Sequence, residues 1–146
     1  MNLSVKKVQN KEELEQVFKI REEVFVVEQE VDREEEYDEF EQSSTHFLAC
    51  LDGNGVGTAR WRFTENGIKL ERFAVLKAAR GKGVGQALVA AVLENIKENS
   101  EAKNKVLYLH GQLAAVPLYE KFGFKKVGDV FIECDIKHYK MEKTFP

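Results

Sequence analysis

Between positions 70 and 88 the chain reads LERFAVLKAARGKGVGQAL. An apolar strand pattern runs into a loop with glycines at positions 81, 83 and 85, and that loop opens directly into a helical pattern. Glycines let the backbone approach a ligand closely and take φ values that other residues resist. The first N–H groups of a helix have no internal partner and lie at the positive end of its dipole. Arg80 and Lys82 add positive charge on either side of Gly81, and Gly83, Val84 and Gly85 begin the helix. Together these residues make an anion site, most naturally for a pyrophosphate.

Two familiar pyrophosphate motifs do not fit. A dinucleotide-binding Gly-x-Gly-x-x-Gly needs a third glycine where Gln86 stands. The phosphate-binding loop of nucleotide hydrolases needs a Ser or Thr after Gly-Lys to hold magnesium, and here Gly83 follows Gly81-Lys82. The strands before the loop also read as an antiparallel meander, not as a βαβ unit. A glycine-rich turn serving only the fold is the blander reading. Three glycines and two cations at one helix start argue against it.

The elements that must position this loop follow from periodicity and turn chemistry. A strand is expected over 3–8, and Asn10 with Glu13 has the spacing of a helix capping pair. Leu14, Val17, Phe18, Val24 and Phe25 then mark one buried helical face. Strands over 45–51, 56–65 and 68–76 are joined by Asp52-Gly53-Asn54-Gly55 and by Asn66-Gly67, both hairpin signals. Val84, Leu88, Ala91, Val92 and Ile96 predict a helix over 83–99, and a short strand follows at 105–110. Pro117 is tolerable only in the first turn of the next helix, which Gly123 and Phe124 would cap. Strands over 127–134 and 138–144 close the chain. The order is β-α-β-β-β-α-β-α-β-β, a single α/β (α+β) domain over 1–146 with a mixed, mostly antiparallel sheet and about four helices.

Composition narrows the function classes. The 146 residues carry 22 Lys and Arg against 25 Asp and Glu, a net charge of −3, which argues against a general polyanion binder because such affinity comes from neutralised phosphates. The two cysteines, Cys50 and Cys134, make neither a disulfide scaffold nor a zinc site, and read as packing residues. His46, His110 and His138 lack metal-ligand spacing, so no metal is expected. No signal-peptide core and no membrane-spanning run occurs, so the expectation is a cytoplasmic protein with neither nucleic acid nor membrane as partner. A homodimer is compatible with the sequence. One charge cluster stands out: nine acidic residues and one arginine lie between Glu28 and Glu41, a local net of −8, in a stretch that reads as a loop or short irregular helix.

Arg80-x-x-Gly83-x-Gly85 resembles the Arg/Gln-x-x-Gly-x-Gly/Ala signature of the GNAT acetyltransferase superfamily. Ala115-Val-Pro-Leu-Tyr119-Glu-Lys-Phe-Gly-Phe124 resembles the later A-x-x-x-Y-x-x-x-G-F motif of the same superfamily. The element order matches its fold, so the likeness covers nearly the whole chain. Arg21-Glu-Glu-Val-Phe-Val-Val-Glu-Gln29, Gly57-Thr-Ala-Arg60, and Phe131-x-Glu133 with His138-x-x-Met141 are similar to its ElaA/YjcF-like branch. Members of that branch usually read Gly-Ile-Pro-His before the last strand, where this chain has Asp135-Ile-Lys-His138. The resemblance implies acetyl-CoA as cosubstrate. Main-chain groups of Phe73, Ala74 and Val75 would pair with the pantetheine arm, residues 80–85 would hold the pyrophosphate, and Tyr119 would protonate the departing thiolate.

Acetyl transfer to an amine makes further demands. An alkyl amine has a pKa near ~10.4, so a base must take its proton at neutral pH. Glu71 is the first candidate, with a surface salt bridge as the alternative. Strict alternation would put Glu71, Phe73 and Val75 on one strand face. His110 could act directly or through water, or could simply end its strand. Arg60 and Arg62 share a strand face and could grip an acceptor carboxylate or phosphate, or pair with the acidic segment instead. That segment, from Glu28 onward, could draw in a cationic amine or remain a solvated face. His138 is a pocket-lining candidate and His46 a structural one. The expected activity is N-acetylation of a primary amine on a small molecule, more than on a protein terminus or lysine, by direct attack in a ternary complex. A sensor that binds acyl-CoA without turnover is the alternative from another class, and transfer of a different acyl group is a third.

Overall fold

A computed structural model describes residues 2–144. The elements are β1 (Leu3–Lys7), α1 (Lys11–Arg21), α2 (Arg33–Glu36), β2 (Thr45–Leu51), β3 (Asn54–Thr64), β4 (Gly67–Val75), α3 (Val84–Lys97), β5 (Val106–Gln112), α4 (Val116–Lys121), β6 (Lys125–Glu133) and β7 (Ile136–Thr144). The seven strands form one sheet in the order β1-β2-β3-β4-β5-β7-β6. Among the described residues only β4 and β5 pair in parallel, and α3 supplies the crossover that a parallel pair requires. The expected fold class and element order hold. The acidic stretch adds detail: α1 continues into a π-helical segment, Glu22–Glu28, and α2 is a single short turn.

Local chemistry explains the boundaries. Asn10 caps α1 by accepting from the Glu13 N–H at 2.8 Å, and Glu13 accepts in return from the Gln9 N–H. Asp52 and Gly53 occupy the two central positions of the β2–β3 turn, both at positive φ, as a type I′ turn needs. Leu88, Val92 and Ile96 of α3 pack on Trp61, Leu70 and Leu109 of one sheet face. On the other face, Val17 and Ile20 of α1 pack with Leu48 and Ala74. Among the described residues no helix is long and apolar enough to cross a membrane.

Two irregularities in β4 prepare the site. Arg60 lies opposite Glu71, but Thr58 lies opposite Ala74, so β4 holds one extra residue in a β-bulge. Arg72 occupies the bulge at φ 59°, a conformation rare for a residue that is not glycine. The bulge overturns strict alternation. Phe73 and Val75 join Leu70 on the α3 side, while Ala74 turns to the α1 side, where Glu71 also lies among the arginines. Pairing between β4 and β5 then stops: it covers Ile68, Lys69 and Leu70 only. Beyond Leu70 the two strands part, leaving a cleft with a free β4 edge along residues 71–75.

Candidate active site

The loop between β4 and α3 takes the conformation its glycines allow. Gly81 and Gly83 have φ of 78° and 81°, and a Cβ on either would meet nothing within 4 Å, so backbone conformation is what demands glycine there. Gly85 serves differently. A Cβ at this position would stand 3.3 Å from Leu118 Cδ2, so its absence lets α3 approach α4 closely. Gly83 caps α3 without a side-chain hydrogen bond, which leaves the first N–H groups of a fourteen-residue helix available to an anion. A cavity of about 520 Å³ opens above this turn. Its lining includes Phe73, Ala74, Val75, Arg80, Gly81, Gly83, Val84 and Gly85, whereas Lys82 is exposed and outside it.

Arg80 is already engaged. Its Nη1 and Nη2 donate to Glu28 at 2.7 and 2.6 Å, and its Nε donates to the Val75 carbonyl at 3.0 Å. Glu28, expected among acceptor-binding residues, thus sits at the anion loop, where its carboxylate occupies the guanidinium face a phosphate would use. The Arg80 hydrogen bonds and charge hold Glu28 below the usual carboxylate range. Removing that competing charge with Glu28→Gln should tighten acetyl-CoA binding by about two- to five-fold, the range an exposed ion pair permits. Titration calorimetry checks this, and unchanged or weaker binding would show that Arg80 is not released to the ligand.

A second cavity, about 460 Å³, lies on the α1 side of the cleft and is lined by Arg62, Lys69, Glu71, His110, Glu133 and His138 among others. The two cavities share Gln29, Phe73, Gln112, Ala115 and Tyr119. Gln29 and Gln112 exchange amide hydrogen bonds of 3.3 and 3.0 Å at this junction. Tyr119 packs edge-on against Phe73, with ring centroids 5.7 Å apart. A Cβ on Gly111 would come within 3.3 Å of Tyr119 Cδ2, so Gly111 makes room for the ring. Burial alone raises the Tyr119 pKa, so the phenol stays protonated across the neutral range.

The base candidates separate on geometry. Glu71 is buried among cations: Arg60 and Arg62 lie 2.7 and 2.6 Å from its Oε2. Burial acts to raise its pKa, but Arg60, Arg62 and Lys69 outweigh it and hold the carboxyl below its ordinary value. A carboxylate so stabilised is a weak proton acceptor. His110 is placed better. Its Nδ1 lies 3.1 Å from Glu133 Oε2, so with Nδ1–H given to the carboxylate, Nε2 is left to accept a proton. His138 donates Nδ1–H to the Ile136 carbonyl at 2.7 Å and stacks on Phe131 at the cavity wall. His46 is buried with Nε2 at 2.7 Å from the Glu41 carbonyl, a structural position.

Arg60 is not free for an acceptor. It is fully buried and gives its donors to Glu71, Asp38 and Glu41. Pairing with the acidic segment therefore accounts for Arg60, and only Arg62 still borders the cavity. Sequence reasoning missed Lys69, Arg72 and Glu133 at this site. Glu133 lay within a quoted motif, but its contact with His110 spans 23 residues and has no local signature. Cys134 also lines the cavity. Burial and the Glu35 carboxylate, 2.8 Å from its Sγ, push the thiol up to about 12, which removes it as a nucleophile.

Comparison with known proteins agrees with this geometry. The model of the acetyltransferase (GNAT) domain matches residues 6–145. The chain is 40% identical over 135 residues to the uncharacterized N-acetyltransferase YjcF of Bacillus subtilis, covering 92% of this chain and 94% of that protein. Escherichia coli ElaA superposes with a TM-score of 0.85 at 26% identity, covering 97% of this chain and 99% of ElaA. An acyl-CoA N-acyltransferase from Pseudomonas aeruginosa gives 0.81 at 28% identity, covering 97% and 98%. A family that draws acyl groups from acyl-CoA and gives them to amines accounts for a glycine-lined anion turn, a strand edge freed by a bulge, and a second cavity across a buried tyrosine. The chain belongs to the GNAT N-acetyltransferase family.

Proposed function

We propose that this protein transfers an acetyl group from acetyl-CoA directly to the primary amine of a small molecule, with both substrates bound at once. The observation that carries this reading is the meeting of two cavities at Tyr119 and Phe73. A carrier enters from the α3 side and an acceptor from the α1 side, so the reacting atoms can meet without a covalent enzyme intermediate. Acetyl-CoA supplies a thioester carbonyl activated towards amines. The αL glycines, the uncapped start of α3 and Arg80 suit its pyrophosphate, and the free edge of Phe73 to Val75 suits the amides of its pantetheine arm.

His110 Nε2 takes a proton from the acceptor ammonium, with Glu133 steadying the imidazolium that results. The amine nitrogen then bonds to the acetyl carbon, and a second proton leaves the nitrogen for solvent. Tyr119 gives its hydroxyl proton to the sulfur as the carbon–sulfur bond breaks, and solvent restores it. The products are an N-acetyl amide and the free thiol of CoA. Incubation with acetyl-CoA and a panel of primary amines, monitoring free thiol, tests the reading. Thiol release dependent on amine is expected. Tight acetyl-CoA binding without release under any amine would mean a sensor instead.

A further inference from the structure

One part of the acceptor cavity's floor gathers several cations around a single carboxylate. On the sheet face that holds Glu71, Arg62 lies opposite Lys69, and Lys69 lies beside Tyr108, two residues before His110. The Arg62 side chain is only 14% exposed, stacks on the Phe40 ring with its guanidinium carbon 3.8 Å from the centroid, and gives Nε to Glu71. Lys69 Nζ stands 3.5 Å from the other Glu71 oxygen with its side chain 18% exposed. Two half-buried cations therefore share one carboxylate, and Arg60 draws on that same carboxylate from below.

The other carboxylates of the network are taken up by other cations. Arg21 pairs with Glu36 and Glu41, Arg60 with Asp38 and Glu41, and Arg72 with Glu36 and Asp38. Five cations (Arg21, Arg60, Arg62, Lys69, Arg72) are thus joined to four anions (Glu36, Asp38, Glu41, Glu71), leaving one positive charge over. Burial lowers the pKa of the adjoining His46, so it adds no charge at neutral pH. The cavity is also lined by Glu133 and Glu35, whose hydrogen-bond partners, an imidazole and a thiol, leave their negative charges in place, so the lining has an anionic part beside this cationic one. Within the network the surplus cations are Arg62 and Lys69, which share Glu71 and both border the cavity.

We infer that the acceptor carries a charge for each part of this lining: it is a small zwitterionic amino acid, an amine with its own carboxylate. Arg62 and Lys69 bind the carboxylate, which directs the ammonium towards His110 on β5 and the Glu133 charge on β6. The carboxylate gives a second anionic partner to two cations that otherwise share Glu71. The guanidinium fork suits its two oxygens, and low exposure strengthens the contact. This assignment rests on the acetyl-transfer reading above and names its substrate class.

The test compares amino acids with their own carboxamides. L-alanine, L-glutamate, β-alanine and 4-aminobutyrate would each be assayed beside the corresponding amide, where only the carboxylate charge changes. At least one acid should exceed its amide by ten-fold or more in kcat/KM, chiefly through KM, and Arg62→Gln should bring that ratio towards one. Acids and amides turned over equally by the unsubstituted protein would overturn the inference and leave acetyl transfer standing. Acetyl-CoA protection against thermal unfolding with no turnover of either set would instead overturn the transfer reading. A ratio that survives Arg62→Gln in a folded protein would remove Arg62 from the role.

Discussion

Gly83→Asp should abolish acetyl-CoA binding while leaving the fold intact. Gly83 sits at φ 81° with open space around its missing Cβ, so a side chain fits without collision. The cost to folding is the left-handed conformation alone, of order 1–2 kcal/mol and less for Asp than for most residues. The aspartate would sit at the mouth of the anion turn, level with the first N–H groups of α3. Two like charges about 4 Å apart repel by about 4 kcal/mol at an effective dielectric of about 20, so affinity should fall on the order of 10²–10³-fold. Gly83→Asn supplies the control, matching Asp in shape and backbone preference without its charge, and should lose far less. Calorimetric titration and thermal protection by acetyl-CoA both read the outcome. Equal affinity in the Asp variant would remove the pyrophosphate from this turn.

The loop was legible because its chemistry is local: glycines, cations and a helix start lie within six residues, and periodicity placed the strand before it. Hairpin turns were legible for the same reason. Asp52-Gly53 announces its turn, and Gly67 is needed where the Val106 carbonyl would lie 2.3 Å from a Cβ. The acceptor side was not legible. Nine acidic residues in fourteen read as a solvated face, yet Glu36 is 3% exposed, because Arg21 and Arg72 reach it from α1 and β4. The carboxylates of that stretch look like surface residues until their arginine partners, 15 to 36 positions away, are brought beside them.

The bulge had a larger consequence. Period-two reasoning through Glu71, Phe73 and Val75 had no means of detecting one extra residue, and so joined Glu71 to the wrong neighbours. Arg72 holds a strained φ at the point of insertion, and its guanidinium reaches the Glu36 carbonyl and Asp38. Those contacts offset a conformational cost of order 1–3 kcal/mol. The same insertion ends the β4–β5 ladder, turns Phe73 towards Tyr119, and keeps Glu71 with the arginines. The free strand edge, the junction of the two cavities and the floor of the second cavity therefore depend on one residue that no local pattern announces.

Tyr119→Phe should cut kcat by about 10²–10⁴-fold, the usual contribution of a placed general acid, and change acetyl-CoA affinity by less than about two-fold. The ring keeps its contacts with Phe73 and Phe124, so packing survives, and only the hydroxyl is lost. Because burial raises the pKa of the phenol, it is a weak acid before reaction but is always protonated when sulfur begins to leave. Steady-state kinetics with separate binding measurements give the split. His110→Ala provides the contrast that tells acid from base. An alkyl amine of pKa ~10.4 is less than about 0.1% deprotonated at pH 7, and its free fraction rises ten-fold with each pH unit. The loss in His110→Ala should therefore shrink steadily as pH rises towards 10, since solvent then does the work of the imidazole. The loss in Tyr119→Phe should not shrink, because an alkaline solution supplies no proton to sulfur. A Tyr119→Phe enzyme with unimpaired kcat would leave the departing thiolate to water, and parallel pH profiles for the two variants would dissolve the division of labour between them.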